Sequence, residues 1–269
     1  MRYIVDHDFH IHSQLSSCSR HPEQTAERIL KYAKDNGFKQ IVLTDHYWDN
    51  SIPCGNKWYV PQDFEHISRS KPLPQADGIE FLFGCEGEVD VNYTLSIPRK
   101  NFDEFGFTVI PTTHMQTPGF NIPVEDAKTP EGIAKAWVDR INAVLDMDLP
   151  FHKIGLAHPV CSLIAHNGDE EYLAALKALT NADIARTFAK AAKVGIGIEL
   201  NSYDFRRKEH ITLPYVRRIF DIAKDCGCKF YLASDAHTPD QLDIATQRFN
   251  RAIDLLELTE DDKFRLPSA

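Results

Sequence analysis

Short continuous apolar runs alternate along this chain with longer stretches whose apolar residues recur three and four apart, the rhythm of buried parallel strands alternating with amphipathic helices. Tyr3-Ile4-Val5 predicts the start of the first strand. Ala26, Ile29, Leu30 and Ala33 share one face of a helix predicted over 22–36, with Gly37 placed to cap it. Ile41-Val42-Leu43 then completes a βαβ unit. Further runs predict strands over 79–83, 108–110, 154–157, 196–200 and 229–233. Helices are predicted from Pro130 (Ile133, Trp137, Ile141, Val144 and Leu145 on one side), over 170–180 and 183–193, around Val216 to Ala223, and from Pro239. Three segments break the rhythm. Residues 47–75, with Trp48, Trp58 and Tyr59, predict a long loop and short helix over one end of the fold. Residues 89–97 suggest a small extra strand, and 115–129 an irregular insertion. With no repeat or linker, the reading is one domain over 1–269.

Seven of these runs end in a histidine or an acid. They lead into His10-Ile11-His12, Thr44-Asp45-His46, Gly84-Cys85-Glu86, Thr113-His114, Ala157-His158-Pro159, Glu199-Leu200-Asn201 and Ser234-Asp235-Ala236-His237. Strands that all present polar ligands at their C-terminal ends describe an α/β barrel with a metal site at its mouth. His10 and His12, two apart on an extended strand, point the same way. A closed barrel sets first and last strands side by side, so Asp235 can join them. The mixed nitrogen and oxygen set suits zinc, manganese or iron better than calcium, and exceeds what one tetrahedral ion needs. Two or three divalent ions are therefore expected. Asp8, read in phase with His10, and Asp45 are candidates to orient ligands. Glu88 is open between ligand, orienting group and exposed acid. His7, His66, His152, His166 and His210 read as surface or packing residues.

Bulk properties narrow the partners. The chain has 269 residues, a net charge of -9 and 43% hydrophobic residues. That acidic balance argues against broad nucleic-acid binding, and no apolar stretch is long enough for a membrane span. The six cysteines are scattered, which predicts reduced thiols, and the acidic start argues against a signal peptide, so a cytoplasmic protein is expected. Cys226-Gly227-Cys228 reads as small residues around a helix cap rather than half a metal clip.

The ordered motifs His-x-His-Ser, Thr-Asp-His, Gly-x-Glu, a mid-chain His, His-Pro and Ser-Asp-Ala-His resemble the PHP (polymerase and histidinol phosphatase) family, and within it the stand-alone phosphoesterases, from Asp8 to His237. The resemblance implies a distorted (β/α)7 TIM-like barrel, a trinuclear metal cluster and phosphoester hydrolysis by a metal-bridging hydroxide. It implies that His10, His12, Glu86 and Asp235 hold one ion, that Glu86 bridges to a second held by His114 and His158, and that His46 and His237 hold a third. The family usually supplies a further third-ion ligand, an Asp or His, shortly after the His-x-His. Here Cys18 stands near that place, with His21 slightly beyond. Asp235 and His237 are candidates to assist with protons, and Arg20, Lys57, Arg206 and Arg207 to bind the substrate phosphate. The implied substrate is a small phosphorylated metabolite, histidinol phosphate favoured, which would place the enzyme in histidine biosynthesis. Alternatives are a phosphodiesterase or nuclease-like activity, an amidohydrolase-type barrel, or a non-catalytic metal-stabilised module. Oligomeric state stays open.

Overall fold

Strands buried on both faces arise where the apolar runs lie. In this computed structural model, which describes residues 1–205 and 213–267, seven strands form one parallel sheet in chain order. They are β1 (His7–Ile11), β2 (Gln40–Leu43), β3 (Glu80–Glu86), β4 (Phe107–Pro111), β5 (Ile154–Ala157), β6 (Gly197–Asn201) and β7 (Lys229–Ala233). Helices α1 (Ala26–Asn36), α2 (Phe64–Ser68), α3 (Pro130–Leu145), α4 (Asp169–Ala178), α5 (Asn181–Val194), α6 (Leu213–Asp225) and α7 (Pro239–Leu255) fill the connections. Among the described residues no helix is long and apolar enough to cross a membrane.

The sheet curls until β1 meets β7. At the top of that seam the backbone pairs directly: Asp235 N donates to His10 O over 2.8 Å and His12 N to Ala236 O over 3.0 Å. Lower down, side chains stand in for the missing strand carbonyls. His7 Nε2 accepts from Leu232 N over 3.1 Å, and Asp8 Oδ1 from Ser234 N over 2.9 Å. A parallel barrel of seven strands closes here with half its last ladder made by side chains. The interior is apolar: Phe9, Val42, Phe107, Val109, Ala157 and Tyr231 pack together, and Phe264 and Leu266 plug the lower end. A Cβ on Gly155 would lie 2.3 Å from Tyr231 Oη, so only glycine leaves that ring its place.

Several element boundaries differ from the sequence reading. The first strand is His7–Ile11, because Tyr3 pairs instead with the chain beyond α7, donating its N–H to Leu258 O over 3.1 Å. Helix α1 begins after Thr25, whose side chain caps it, so Pro22 lies outside. Residues 89–97 make a single antiparallel bridge, Val89 with Leu95, rather than a strand. Gly227 ends α6 with φ 84°, and the flanking thiols donate to Ala185 O and Phe188 O, as expected of a helix cap.

Candidate metal centre

The strand ends deliver their side chains to one place. His10 is the penultimate residue of β1, Glu86 closes β3, and His12, His46, His114, His158, Asp235 and His237 follow β1, β2, β4, β5 and β7 within four residues. His158 and Asp235 sit at φ 27° and 51°, left-handed conformations that L residues avoid and that turn both side chains back over the mouth.

Five distances define the heart of the cluster. His10 Nε2 lies 3.1 Å from His12 Nε2, 3.5 Å from Glu86 Oε2 and 3.5 Å from Asp235 Oδ1. His12 Nε2 lies 3.2 Å from Glu86 Oε2 and 3.3 Å from Asp235 Oδ1. These are five of the six edges of a tetrahedron. An edge of that length puts the centre about 2.0 Å from each corner, the bond length zinc makes to imidazole and carboxylate. Glu86 turns its other oxygen to a second group, Oε1 lying 3.1 Å from His158 Nε2 and 3.9 Å from His114 Nε2. A third group brings His12, Cys18, His46 and His237 together, with ligand atoms all within 4.8 Å of one another.

Hydrogen bonds behind the rings decide what faces the centre. His10 Nδ1 is held by Glu199 Oε2 and His114 Nδ1 by Glu88 Oε2, both at 2.9 Å. His237 Nδ1 meets Asp235 O at 2.7 Å. His12 Nδ1 meets Ser16 Oγ at 2.8 Å, and the Ser16 hydroxyl hydrogen goes to Asp45 Oδ1. His158 Nδ1 meets Thr113 Oγ1 at 2.9 Å, and the Thr113 hydrogen goes to His158 O. Each partner is an acceptor, so each Nδ1 carries a hydrogen and each Nε2 faces inward, with a lone pair for an ion whenever that nitrogen is unprotonated. His46 Nδ1 is buried with no hydrogen-bond partner, 3.0 Å from Glu86 Oε2. Lone pairs and two carboxylates converging on one buried place require positive charge between them, and a set of divalent ions fits.

The same demand shows in the proton affinities. Burial opposes protonation of His10, yet Glu199, Asp235 and Glu86 hold it well above the ordinary imidazole range. His12 is pushed up to about 9, hydrogen bonding to Asp235 and Glu86 outweighing its burial. Glu86 is held well below the carboxylate range despite burial, because His46 and His10 flank it. His237 falls to about 4 through burial beside His12, so its ring is neutral at physiological pH.

Some expectations change. The register irregularity between Asp8 and Ile11 breaks strict alternation on β1. Asp8 therefore turns to Ser234 N and Tyr32 Oη at the seam, and the carboxylate that orients His10 is Glu199. Glu88 is fully buried, gripping His114 and accepting from Tyr59 Oη. Its guanidinium partner, Arg140 Nη2, lies 3.5 Å away, also buried. Arg140 was missed, although an arginine among Ile133, Trp137, Ile141 and Val144 on one helical face was the available signal. His21 is exposed and accepts from Glu23 N, outside the cluster.

The cluster floors a cavity of about 610 Å³, walled by the aromatic residues Trp58, Tyr59, Phe120, Tyr172 and Tyr203 and by the amides Asn56, Gln116 and Asn121. The loop 47–75 thus lies over the mouth as expected, its Trp58 ring edge-on to His46 at 5.0 Å. Among the described residues no Lys or Arg lines this cavity. Arg20 is exposed and donates to Ser17 O, and Lys57 is exposed between the lining residues Asn56 and Trp58; neither is among the residues lining the cavity. Arg206 and Arg207 lie outside the described residues.

No family model matches the chain. A protein named "Probable phosphatase" from Shewanella loihica is 25% identical over 259 residues, 96% of this chain and 85% of its own. "Probable phosphatase YcdX" of Escherichia coli is 24% identical over 233 residues, 86% of this chain and 78% of its own. Among solved structures, the histidinol phosphate phosphatase of Lactococcus lactis subsp. lactis, complexed with zinc, L-histidinol and phosphate, superposes with a TM-score of 0.58. It is 16% identical, over 92% of this chain and 93% of that one. These likenesses accord with the PHP resemblance of the motifs, and the structural one shows the shared barrel.

Proposed function

We propose that this PHP-type barrel is a metal-dependent phosphoesterase acting on a small phosphomonoester, with histidinol phosphate the favoured substrate. The observation that carries this reading is the tetrahedron of donor atoms with edges of 3.1–3.5 Å, linked through the second oxygen of Glu86 to a neighbouring group. In this reading His10, His12, Glu86 and Asp235 hold one ion, Glu86, His114 and His158 a second, and His46, His237 and Cys18 a third. Zinc, manganese and iron all suit the donors. When bound, such ions supply Lewis acidity toward phosphate oxygens and lower the pKa of water.

The chain's own residues supply the rest. Glu199, Glu88, Ser16 and Thr113 fix the ring orientations, so the donors are organised before substrate arrives. The cavity walls offer aromatic faces and amides to an organic leaving group. With no Lys or Arg among the described lining residues, the phosphate charge falls to the cluster itself. Asp235 and His237 line the cavity and are the candidates to assist with protons. The low proton affinity of His237 favours a role as lone-pair donor over one as general acid at neutral pH. Relatives named as phosphatases over most of the chain support the class. The zinc, histidinol and phosphate seen in the Lactococcus protein support metal use and the favoured substrate.

The test is a panel of phosphomonoesters, phosphodiesters and amides assayed on purified protein with parallel metal analysis. Turnover of histidinol phosphate or another phosphomonoester, abolished by chelation and restored by metal, is expected. Amide hydrolysis without phosphatase activity, or an inert protein at full metal loading, would refute the proposal.

A further inference from the structure

We infer that the ion position formed by Cys18, His46 and His237 is a sulfur-bearing, zinc-selective site, distinct in metal preference from the two nitrogen-and-oxygen positions beside it. The inference rests on the proposed metal cluster and refines it. Three of these ligands belong to this position: His12 lies within the same radius, but its inward Nε2 already faces His10, Glu86 and Asp235. That leaves a thiol and two imidazoles. Thiolate is a soft ligand that favours zinc strongly over manganese, whereas carboxylate and imidazole discriminate far less.

A lone loop cysteine would carry no such argument, but this one is placed by its surroundings. The loop Ser13–Ser19 is tied by hydrogen bonds to each histidine of the group. Ser16 Oγ touches His12 Nδ1 at 2.8 Å and accepts from His46 N over 3.2 Å. Ser19 Oγ donates to His237 O over 2.7 Å. Asp45 anchors the loop start, accepting from Ser13 N, Ser13 Oγ and Ser16 Oγ within 2.8 Å. Gln62, on the mouth loop, accepts from Ser17 N over 2.9 Å. Cys18 therefore sits between two serines that are pinned to the surrounding framework, one of them to a ligand of the same position. His46 Nδ1 is buried without a well-formed hydrogen bond, 3.0 Å from Glu86 Oε2, and His46 is grouped with Cys18 and His237 by ligand atoms within 4.8 Å of one another.

The experiment uses the full chain stripped of metal and reconstituted with cobalt(II), then challenged with equimolar zinc and manganese. The wild type is expected to show an ultraviolet sulfur-to-cobalt charge-transfer band and to retain zinc selectively at one position. C18S should lose the band and about one ion per chain. C18D should keep the ion, lose the band, and lose at least about tenfold of the zinc-over-manganese preference. C161S, whose thiol lines the cavity but donates to Thr113, serves as the control and should keep the band. A wild type that binds two or more ions without the band, or a C18D protein with unchanged preference, overturns the inference while leaving the phosphoesterase reading intact. A wild type that binds no ion under any condition overturns both.

Discussion

Replacing Arg140 with Met removes a cation that is 1% exposed, in the middle of the apolar face of α3. Its guanidinium donates to Thr112 O at 2.8 Å, Asn121 O at 2.6 Å and Val89 O at 2.9 Å, and faces Glu88 Oε1 at 3.5 Å. Methionine fills much of the same volume, so a cavity is a minor part of the effect. The main effects are a buried Glu88 carboxylate stripped of its cation and four carbonyls, Asp90 O at 3.3 Å included, stripped of a charged donor. Removing one partner of a buried ion pair costs about 3–5 kcal/mol, and orphaned carbonyls add to that where water cannot reach them. We expect R140M to lose about 4 kcal/mol in urea unfolding, with an unchanged m-value. E88Q should be less damaging, and the E88Q/R140M protein should be more stable than the sum of the single changes allows by at least about 1 kcal/mol. Because Glu88 holds His114, metal affinity at the second position should fall as well. A loss below about 1 kcal/mol for R140M, or strict additivity in the cycle, would refute the view of this pair as a buried brace for the site.

H10A and D235A should each lose at least one ion and most phosphatase turnover while keeping the circular dichroism of the parent. Near-normal turnover at full metal loading would reject the ligand assignment. Metal-free protein should weaken as pH rises. His12 binds its proton more tightly folded (about 9) than its ordinary value of 6.5, so its contribution is complete below 6.5 and lost through 9, about 3 kcal/mol in all. Metal-loaded protein should lack that decline, and identical pH profiles for the two forms would contradict it. G155A should push Tyr231 from its place, costing about 1–3 kcal/mol and breaking the Tyr231–Glu199 hydrogen bond behind His10. Y231F should tolerate the barrel position yet still weaken metal binding. If G155A matches the parent in thermal unfolding, the packing argument fails.

The barrel was legible because buried parallel strands must be continuous apolar runs, and because every run ended in a polar group of ligand type. Ile41–Leu43 and Lys229–Ala233 show this with little help from anything else. What was hidden depends on contacts between distant segments. Nothing in Asp8-Phe9-His10 announces the irregularity that sends Asp8 to Ser234 and leaves Glu199 to orient His10. Arg140 and Glu88 are 52 positions apart and meet only because α3 packs behind the mouth. Tyr3 looks like a strand residue but is claimed by the chain after α7. Arg20 and Lys57, expected at the phosphate, are exposed and do not line the cavity, because loop cations near a mouth need not turn inward.

The seam between first and last strands also has a bearing on time. Asp8 and Ser234, which help close it, are 226 residues apart, so their meeting carries a large loop-closure entropy and belongs late in folding. The donor tetrahedron straddles that seam, with His10 and His12 on one lip and Asp235 on the other. A nascent chain cannot complete it, so full-strength ion capture waits for the finished barrel. Once both lips share an ion, opening the seam means giving that ion up. The loaded protein should then owe much of its persistence to slow unfolding, an attribute of rate set by a join that closes late.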